Sequence, residues 1–114
     1  FNDNMRHNAV LIRDNTLHVF WSQAGHAPER IFLTKIDMNG DWMQWQESVA
    51  VEVLRPETEW EGAELGIATS RRGHIDERVN QLRDPAIFEE EGKVCLLYSV
   101  AGEHGLAIAE LLFE

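Results

Sequence analysis

Two carboxylates of this sequence stand beside residues that could prepare them for chemistry. Asp84 lies in an Arg-Asp-Pro triplet, and Glu61 follows Trp60 in the stretch WEGAEL. A neighbouring guanidinium, here that of Arg83, favours the ionised form of a carboxyl group, which suits a fixed negative charge better than a proton donor. The triplet also fits the start of a strand, because Pro85 lacks the N–H that a strand interior would use. The residues alone leave both interpretations open.

Histidine and tryptophan supply the other candidate contacts to a ligand. The five histidines, at positions 7, 18, 26, 74 and 104, have no i, i+2 or i, i+4 spacing, so we predict no metal site and no cofactor. Among them, His7 and His104 are the candidates for substrate contact. Trp60 lies in a polar segment and is the tryptophan that we expect to stack on a ligand. Glu61 shares that segment with several other acidic residues, which favours a solvated loop over an active site.

The composition is that of an acidic globular chain. Its 114 residues carry 20 acidic and 10 basic side chains, a net charge of −10. A nucleic acid partner would need a basic patch, which this charge balance argues against. No apolar run approaches the roughly 20 residues that cross a bilayer, so we expect no membrane segment. The single cysteine, Cys95, lies in an apolar run and favours a reducing compartment, hence a cytoplasmic location.

The chain contains an internal repeat. A shift of 77 residues aligns RHNAVLIRDNTLHVFWSQAG (6–25) with RDPAIFEEEGKVCLLYSVAG (83–102) without a gap. Apolar positions correspond along the alignment. The first copy has His7 where the second has Asp84, so only the second copy offers a carboxylate there. The identical pairs are Arg6 with Arg83, Ala9 with Ala86, Ser22 with Ser99, and Ala24-Gly25 with Ala101-Gly102.

Both copies predict antiparallel strands. Each begins with a short apolar run, then a turn at Asp14-Asn15 or Glu91-Gly92, then a run rich in β-branched and aromatic residues. A third strand follows in each copy, at 29–37 and 105–113, and the first copy adds a fourth at about 45–54. The segment GLAIAELLFE could form a helix by composition, but its alignment with the earlier third strand favours a strand. We therefore predict an all-β fold.

Repeated units of three or four antiparallel strands, the first of them the most apolar, are typical of propeller blades. We predict a single domain over 1–114, with a first blade at 5–57, a long connection at 58–80 and a second, incomplete blade at 81–114. The offset between the copies exceeds a typical blade of about 40–50 residues, and the polar connection accounts for the excess. Connections of this length are usually functional or mobile.

The stretch QLRDPAIFEEEGKVCLLYSVAGEHGLAIAEL resembles a blade of the five-bladed propeller glycosidases, the glycoside hydrolases of families 43, 32 and 68. The first copy, with ERIFLTKID after it, resembles the preceding blade. In families 32 and 68 an Arg-Asp-Pro triplet holds the carboxylate that stabilises the transition state, which maps to Asp84. The general acid often lies in Glu-Gly-Pro, which maps to Glu61. From their positions in the sequence, we predict substrate contacts for Arg83, His7, Trp60 and His104.

Three departures from the family pattern argue against glycosidase activity, although they leave the predicted fold unchanged. Ala63 stands where the family has proline, Glu61 precedes the triplet instead of following it, and no upstream aspartate motif supplies a nucleophile. We therefore expect a partial propeller, related to glycoside hydrolases, that is not catalytically competent alone and could bind carbohydrate. The alternative is a glycosidase of oligosaccharides or polysaccharides, with Asp84 as transition-state stabiliser and Glu61 as general acid.

Two blades alone would leave open sheet edges, which invite pairing with other chains. We expect self-association into a symmetric homo-oligomer that completes the propeller, or completion by the missing blades of a parent protein. The expected partners are therefore further copies or blades and a carbohydrate, with no nucleic acid and no membrane.

Overall fold

The computed structural model of the chain describes residues 1–113 and is all-β, as the sequence predicts. Within these residues, seven strands form two antiparallel sheets, with the orders β1-β2-β3-β4 and β5-β6-β7. The helical elements of the same residues are two single turns of 3₁₀ helix, Trp42–Gln44 and Glu59–Glu61, and neither has the length or apolarity to cross a membrane. The strands are β1 Met5–Arg13, β2 Thr16–Gln23, β3 Ile31–Asp37, β4 Val51–Leu54, β5 Arg83–Glu90, β6 Lys93–Val100 and β7 Gly105–Leu111.

The β1–β2 and β5–β6 hairpins turn where the sequence predicts. Asp14 and Asn15 have φ angles of 50° and 58°, and Glu91 and Gly92 have φ angles of 50° and 80°. Two consecutive residues with positive φ form a turn whose twist matches that of the flanking strands. Asn and Gly adopt this conformation at low cost, which explains why both hairpins turn here. The repeat in the sequence is therefore a repeat of hairpins.

Three strand ends differ from the sequence prediction. β3 begins at Ile31 instead of 29. The carbonyl of Glu29 accepts a hydrogen bond from the N–H of Leu82, so the backbone at Glu29 pairs with the long connection. β4 is limited to Val51–Leu54, and the predicted first half of this strand joins β3 by a single bridge between Ile36 and Glu47. β7 ends at Leu111. It is a strand, which confirms the choice of strand over helix.

The first strand of each sheet carries a register irregularity at the same place in the repeat. The pairing of β1 with β2 shifts between Met5 and Asn8, and the pairing of β5 with β6 shifts between Arg83 and Ala86. Such a bulge re-aims the side chains of the residues within it and often lies beside a functional site. His7 and Asp84 fall within these two irregularities.

The two sheets pack through faces that do not correspond in the repeat. The core joins Phe20 of β2 to Leu96 and Tyr98 of β6. The repeat equivalent of Phe20 is Leu97, and successive side chains of a strand point to opposite faces. The first sheet packs the face that carries Phe20 into the core. The equivalent face of the second sheet, which carries Leu97, points away from that core.

That uncovered face of the second sheet is apolar. Phe88, Leu106 and Ile108 are 49%, 80% and 61% exposed. Phe88 pairs with Cys95 and Ile108 pairs with Leu97, so these side chains share the face. Contiguous exposed apolar surface of this kind marks an interaction surface.

The long connection between β4 and β5 is tied to the first sheet by its backbone. The N–H of Gly25 donates to the carbonyl of Ser70 at 3.0 Å, and the N–H of Ser70 donates to the carbonyl of His26 at 2.9 Å. Near the end of the connection, the N–H of Leu82 donates to the carbonyl of Glu29 at 2.9 Å. The connection is therefore part of the packed fold and positions its residues beside β1 and β5.

Candidate functional site

His7 and Asp84, the residues at the two register irregularities, are in contact. His7 Nδ1 lies 2.5 Å from Asp84 Oδ1, and the strands that carry them, β1 and β5, lie against each other. The two side chains are 48% and 39% exposed, so the pair meets solvent. When Nδ1 donates to the carboxylate, the neutral imidazole keeps its Nε2 lone pair free to accept a hydrogen bond.

Asp84 is held by its backbone as well as by its contacts. Its φ is 54°, in the left-handed region that Asp and Asn adopt more readily than other non-glycine residues. Its Oδ2 accepts a hydrogen bond of 3.0 Å from Ser99 Oγ. Both carboxylate oxygens are therefore engaged, one by each neighbouring strand, and the carboxylate has a fixed orientation. A non-glycine residue in this backbone region is a recurrent feature of functional sites.

A second carboxylate, that of Glu29, is fully buried between the same two sheets. Its Oε2 accepts a hydrogen bond of 2.7 Å from Ser22 Oγ. Its Oε1 lies 3.4 Å from Arg6 Nη1 and 3.8 Å from Arg83 Nε. Two arginines that are equivalent in the repeat thus share one carboxylate. This arrangement compensates a buried charge that would otherwise be very costly.

The same two arginines hold the long connection in place. Arg6 Nη1 donates to the carbonyl of Arg71 at 2.8 Å, and Arg83 Nη1 donates to the carbonyl of Gly73 at 3.0 Å. Arg83 Nε donates to Gln81 Oε1 at 2.9 Å. The Arg83 side chain is 1% exposed, so its donors meet protein groups instead of solvent. Arg83 is therefore a buried side chain that holds the long connection against β5.

The connection and β1 border an open cleft of about 540 Å³. His7, Arg72, His74 and Glu103 are among the residues that line this cleft. Asp84 does not line it but contacts the cleft-lining His7, and we name it the His7–Asp84 cleft after this pair. Glu103 Oε2 accepts a hydrogen bond of 3.1 Å from the N–H of Ile75. The cleft therefore combines imidazole, guanidinium and carboxylate groups on one surface.

His104 follows the cleft-lining Glu103 in the chain. Its Nε2 lies 2.6 Å from the carbonyl oxygen of Asp76, so the ring also fastens the connection. Within residues 1–113, no group of three or more His, Cys, Asp or Glu side chains is placed to hold a metal ion.

Glu61 is buried, which corrects the expectation of a solvated loop. It is 4% exposed, because its carboxylate closes the 3₁₀ turn that contains it. Oε1 accepts hydrogen bonds of 3.1 Å from the N–H groups of Glu57 and Thr58 and from Thr58 Oγ1. Oε2 accepts one of 3.2 Å from Tyr98 Oη. Burial, together with the Glu61 carboxylate, raises the pKa of Tyr98 to about 12, so this hydroxyl stays protonated and donating.

Asp84 and Glu61 are anchored to opposite faces of the second sheet. Ser99 binds Asp84 and Tyr98 binds Glu61, and these consecutive residues of β6 point to opposite faces. Trp60 is 56% exposed and belongs to the same 3₁₀ turn as Glu61. The sequence-predicted residues thus fall into two groups: His7, Asp84 and Arg83, with His104 beside the cleft, and separately Glu61 and Trp60.

Sequence reasoning misses three residues of this region, Glu29, Ser99 and Glu103. Ser99 has a signal in the sequence, because it is identical to Ser22 in the repeat and both hydroxyls donate to a carboxylate. Glu29 and Glu103 have no such signal. Their partners come from distant parts of the chain, so only the folded structure brings them together.

The comparisons with known proteins give one informative match. No protein-family model matches the chain, and no solved structure matches it. The chain is 41% identical over 108 residues to "Uncharacterized protein R118" of Acanthamoeba polyphaga mimivirus. The match covers 94% of this chain and 30% of that protein. The chain therefore spans less than a third of the length of the curated relative that it matches.

Proposed function

We propose that this chain forms two neighbouring blades of a β-propeller of the glycosidase-like type, and that the His7–Asp84 cleft binds a carbohydrate. In this proposal the chain is not catalytically competent alone. The observation that carries it is the 2.5 Å contact between His7 Nδ1 and Asp84 Oδ1. This contact joins equivalent positions of the two copies on their first strands, which in a propeller line the central channel.

The packing of the two sheets supports the propeller. Phe20 of the first sheet shares a core cluster with Leu96 and Tyr98 of the second, although the repeat equivalent of Phe20 is Leu97. The two sheets therefore meet head to tail, with different faces in contact. In head-to-tail assembly every added sheet leaves its other face free for the next sheet, until the ring closes. The apolar face that carries Phe88 would then receive the next blade.

The polar groups of the cleft suit the hydroxyl groups of a saccharide. The Nε2 of the cleft-lining His7 can accept hydrogen bonds, whereas Arg72 can donate them. Asp84 contacts His7 Nδ1 and so orients the His7 ring towards a ligand. Ser99 and the bulged backbone fix Asp84 before any ligand arrives. Such pre-organisation lowers the entropy cost of binding.

The place of the second carboxylate supports binding without hydrolysis. Glycoside hydrolysis uses two carboxyl groups roughly 5–10 Å apart across the scissile bond. Glu61 is engaged by its own 3₁₀ turn and by Tyr98, on the opposite face of the sheet from Asp84. The alternative function, a glycosidase that uses Asp84 and Glu61, would require Glu61 to give up these hydrogen bonds.

The remaining blades have two sources in this proposal, further copies of this chain or blades of a longer chain. The apolar face with Phe88, Leu106 and Ile108 is the surface that either source would cover. Light scattering distinguishes them, because a closed assembly of several copies supports self-association. A strict monomer at high concentration supports blades from elsewhere.

A saccharide panel tests the binding site. Neutral and acidic oligosaccharides are titrated into the wild-type protein, Asp84→Asn and the control Glu89→Gln, an exposed carboxylate of the same strand. NMR signals report binding. We expect at least one saccharide to shift the signals of His7 and its neighbours, with affinity at least ten-fold lower in Asp84→Asn and unchanged in Glu89→Gln, because a charged hydrogen bond is lost.

Two results would contradict the binding proposal: a panel without a ligand, or equal affinity for the wild-type protein and Asp84→Asn. The same samples are assayed for newly formed reducing ends. Hydrolysis by the wild-type protein that disappears in Glu61→Gln would favour the glycosidase alternative instead.

A further inference from the structure

A second cavity lies between the two sheets, at the far end of β1 from His7. Its volume is about 450 Å³, and small-molecule sites span roughly 300–1,000 Å³. β1 runs from His7 near one end to Arg13 at the other, so the two sites are roughly 20 Å apart. The described residues that line this inter-sheet cavity are all different from those that line the His7–Asp84 cleft.

About half of the wall of the inter-sheet cavity is apolar. Phe20, Leu33 and Val53 line it from the first sheet, and Leu111 and Phe113 line it from the end of the second. Phe20 belongs to the core cluster, and the leucines and Val53 pack against that cluster. The cavity is therefore an opening in the core, and an apolar group that fills it would be removed from water.

Cationic side chains stand at the same cavity. Arg13 and Lys35 line it, and the guanidinium carbon of Arg13 lies 4.3 Å from the centre of the Phe113 ring. Among the ion pairs of residues 1–113, none involves either cation. Asp14, in the β1–β2 turn, is the acidic side chain among the described lining residues. The lining thus has an excess of positive charge in an otherwise acidic protein.

His18 adds an imidazole ring to these cations. Its ring packs edge-on against Phe113 with centroids 5.4 Å apart. Its Nδ1 is buried and has no hydrogen-bond partner among the described residues. A buried N–H without a partner is costlier than a buried lone pair, so the proton belongs on Nε2. His18 lines the cavity, and with its proton on Nε2 the ring can donate a hydrogen bond to a ligand there.

We propose that the inter-sheet cavity binds an organic carboxylate with an aromatic or aliphatic body. The body packs against Phe20, Val53 and Phe113, while the carboxylate accepts hydrogen bonds from Arg13, Lys35 and His18 Nε2. Charged hydrogen bonds of this kind are about twice as strong as neutral ones, which selects an anion over a neutral ligand of the same shape. This site is independent of the carbohydrate proposal, because its residues and its end of the sheets are different.

The test uses a matched pair of probes, 4-phenylbutyrate and 4-phenylbutanol, which share a body and differ in charge. Calorimetry measures affinity, and methyl NMR signals of Leu33, Val53 and Leu111 locate the ligand. We expect the acid to bind at least ten-fold more tightly than the alcohol, and Arg13→Gln to remove most of that difference without weakening the alcohol. Lys93→Gln removes an equal charge from the exposed first residue of β6 and should leave both affinities unchanged.

Four outcomes would overturn the proposal. These are no binding of the acid at millimolar concentration, equal affinity for acid and alcohol, equal effects of Arg13→Gln and Lys93→Gln, and shifted methyl signals outside the cavity. Both variants alter exposed side chains, so their folding is checked by the unperturbed NMR spectrum before titration.

Discussion

The two sheets are copies of one design, yet they use their carboxylates differently. In the first sheet Ser22 donates to Glu29, which is completely buried and paired with two arginines. In the second sheet the equivalent Ser99 donates to Asp84, whose side chain is 39% exposed and meets His7. A buried, arginine-paired carboxylate serves the fold, whereas an open one beside a cleft can meet a ligand. The repeat therefore marks the scaffold, and the difference between the copies marks the candidate site.

The largest expected effect on stability comes from removal of the buried Glu29 carboxylate. Glu29→Ala leaves two arginine side chains, those of Arg6 and Arg83, without their buried counter-charge. We expect a loss of about 3–5 kcal/mol in the free energy of unfolding. Urea unfolding followed by circular dichroism measures it, with Glu89→Gln as the exposed control. A loss below about 1 kcal/mol, the range of an exposed pair, would mean that Glu29 is not the clamp between the sheets.

The next largest effect compares two equivalent glycines. Gly25 and Gly102 both have positive φ, at 95° and 81°. A Cβ at Gly25 would meet nothing within 4 Å, whereas a Cβ at Gly102 would lie 2.8 Å from Val79 Cγ2 and 2.9 Å from Ile75 Cγ2.

Both alanine variants strain the backbone, but only Gly102→Ala also overpacks the connection. We therefore expect Gly102→Ala to cost about 1–3 kcal/mol more than Gly25→Ala in thermal or urea unfolding. Equal losses of unfolding free energy in the two variants would show that Val79 and Ile75 of the connection move aside without cost. That result would contradict its role as a packed part of the fold.

A third prediction concerns the side of the second sheet that holds Glu61. The folded pKa of Tyr98, about 12, exceeds the value near 10 of an unfolded tyrosine. The folded state therefore keeps its proton longer, so this contribution to stability is complete below pH 10 and declines as pH rises from about 10 to 12. Since Tyr98 is the only tyrosine, its absorbance reports the titration directly.

In Tyr98→Phe, the decline of the unfolding free energy between these pH values should flatten. Trp21, the repeat equivalent of Tyr98, cannot titrate, so the first sheet offers no matching effect. A Tyr98 titration midpoint near 10 would contradict the burial of its hydroxyl against Glu61.

The smallest effect on stability is expected from substitution of the partly exposed Asp84. Asp84→Asn keeps the shape of the side chain and tolerates the φ of 54°. We expect a change within about 1 kcal/mol in the free energy of unfolding, as for a half-exposed pair. Combined with the loss of saccharide affinity, this would separate function from folding. A destabilisation as large as that of Glu29→Ala would instead give both carboxylates the same structural role.

The sequence predicts the strands of this protein better than its site, for a physical reason. Hairpins are local, so Asp14-Asn15 and Glu91-Gly92 reveal them through the residues that accept positive φ. The repeat even brings His7 and Asp84 to equivalent positions. It does not reveal that the two side chains touch, because that contact depends on how the sheets pack.

Glu61 illustrates the other limit of sequence reasoning. Its acidic surroundings suggest solvent, but a local capping interaction and the distant Tyr98 bury it. The Thr58-to-Glu61 spacing is the sequence signature of a capping box, which could have identified this structural role. Burial by Tyr98, a contact across 37 residues, has no local signature.

The contact between His7 and Asp84 is tested most directly by the tautomer of His7. Histidine side-chain ¹⁵N NMR at alkaline pH distinguishes a proton on Nδ1 from one on Nε2. We expect Nδ1–H in the wild-type protein, with Nε2 as the free acceptor. We expect loss of this preference in Asp84→Gly, which removes the carboxylate without straining the positive φ. An Nε2–H tautomer in the wild-type protein, or the same spectrum in both proteins, would contradict it.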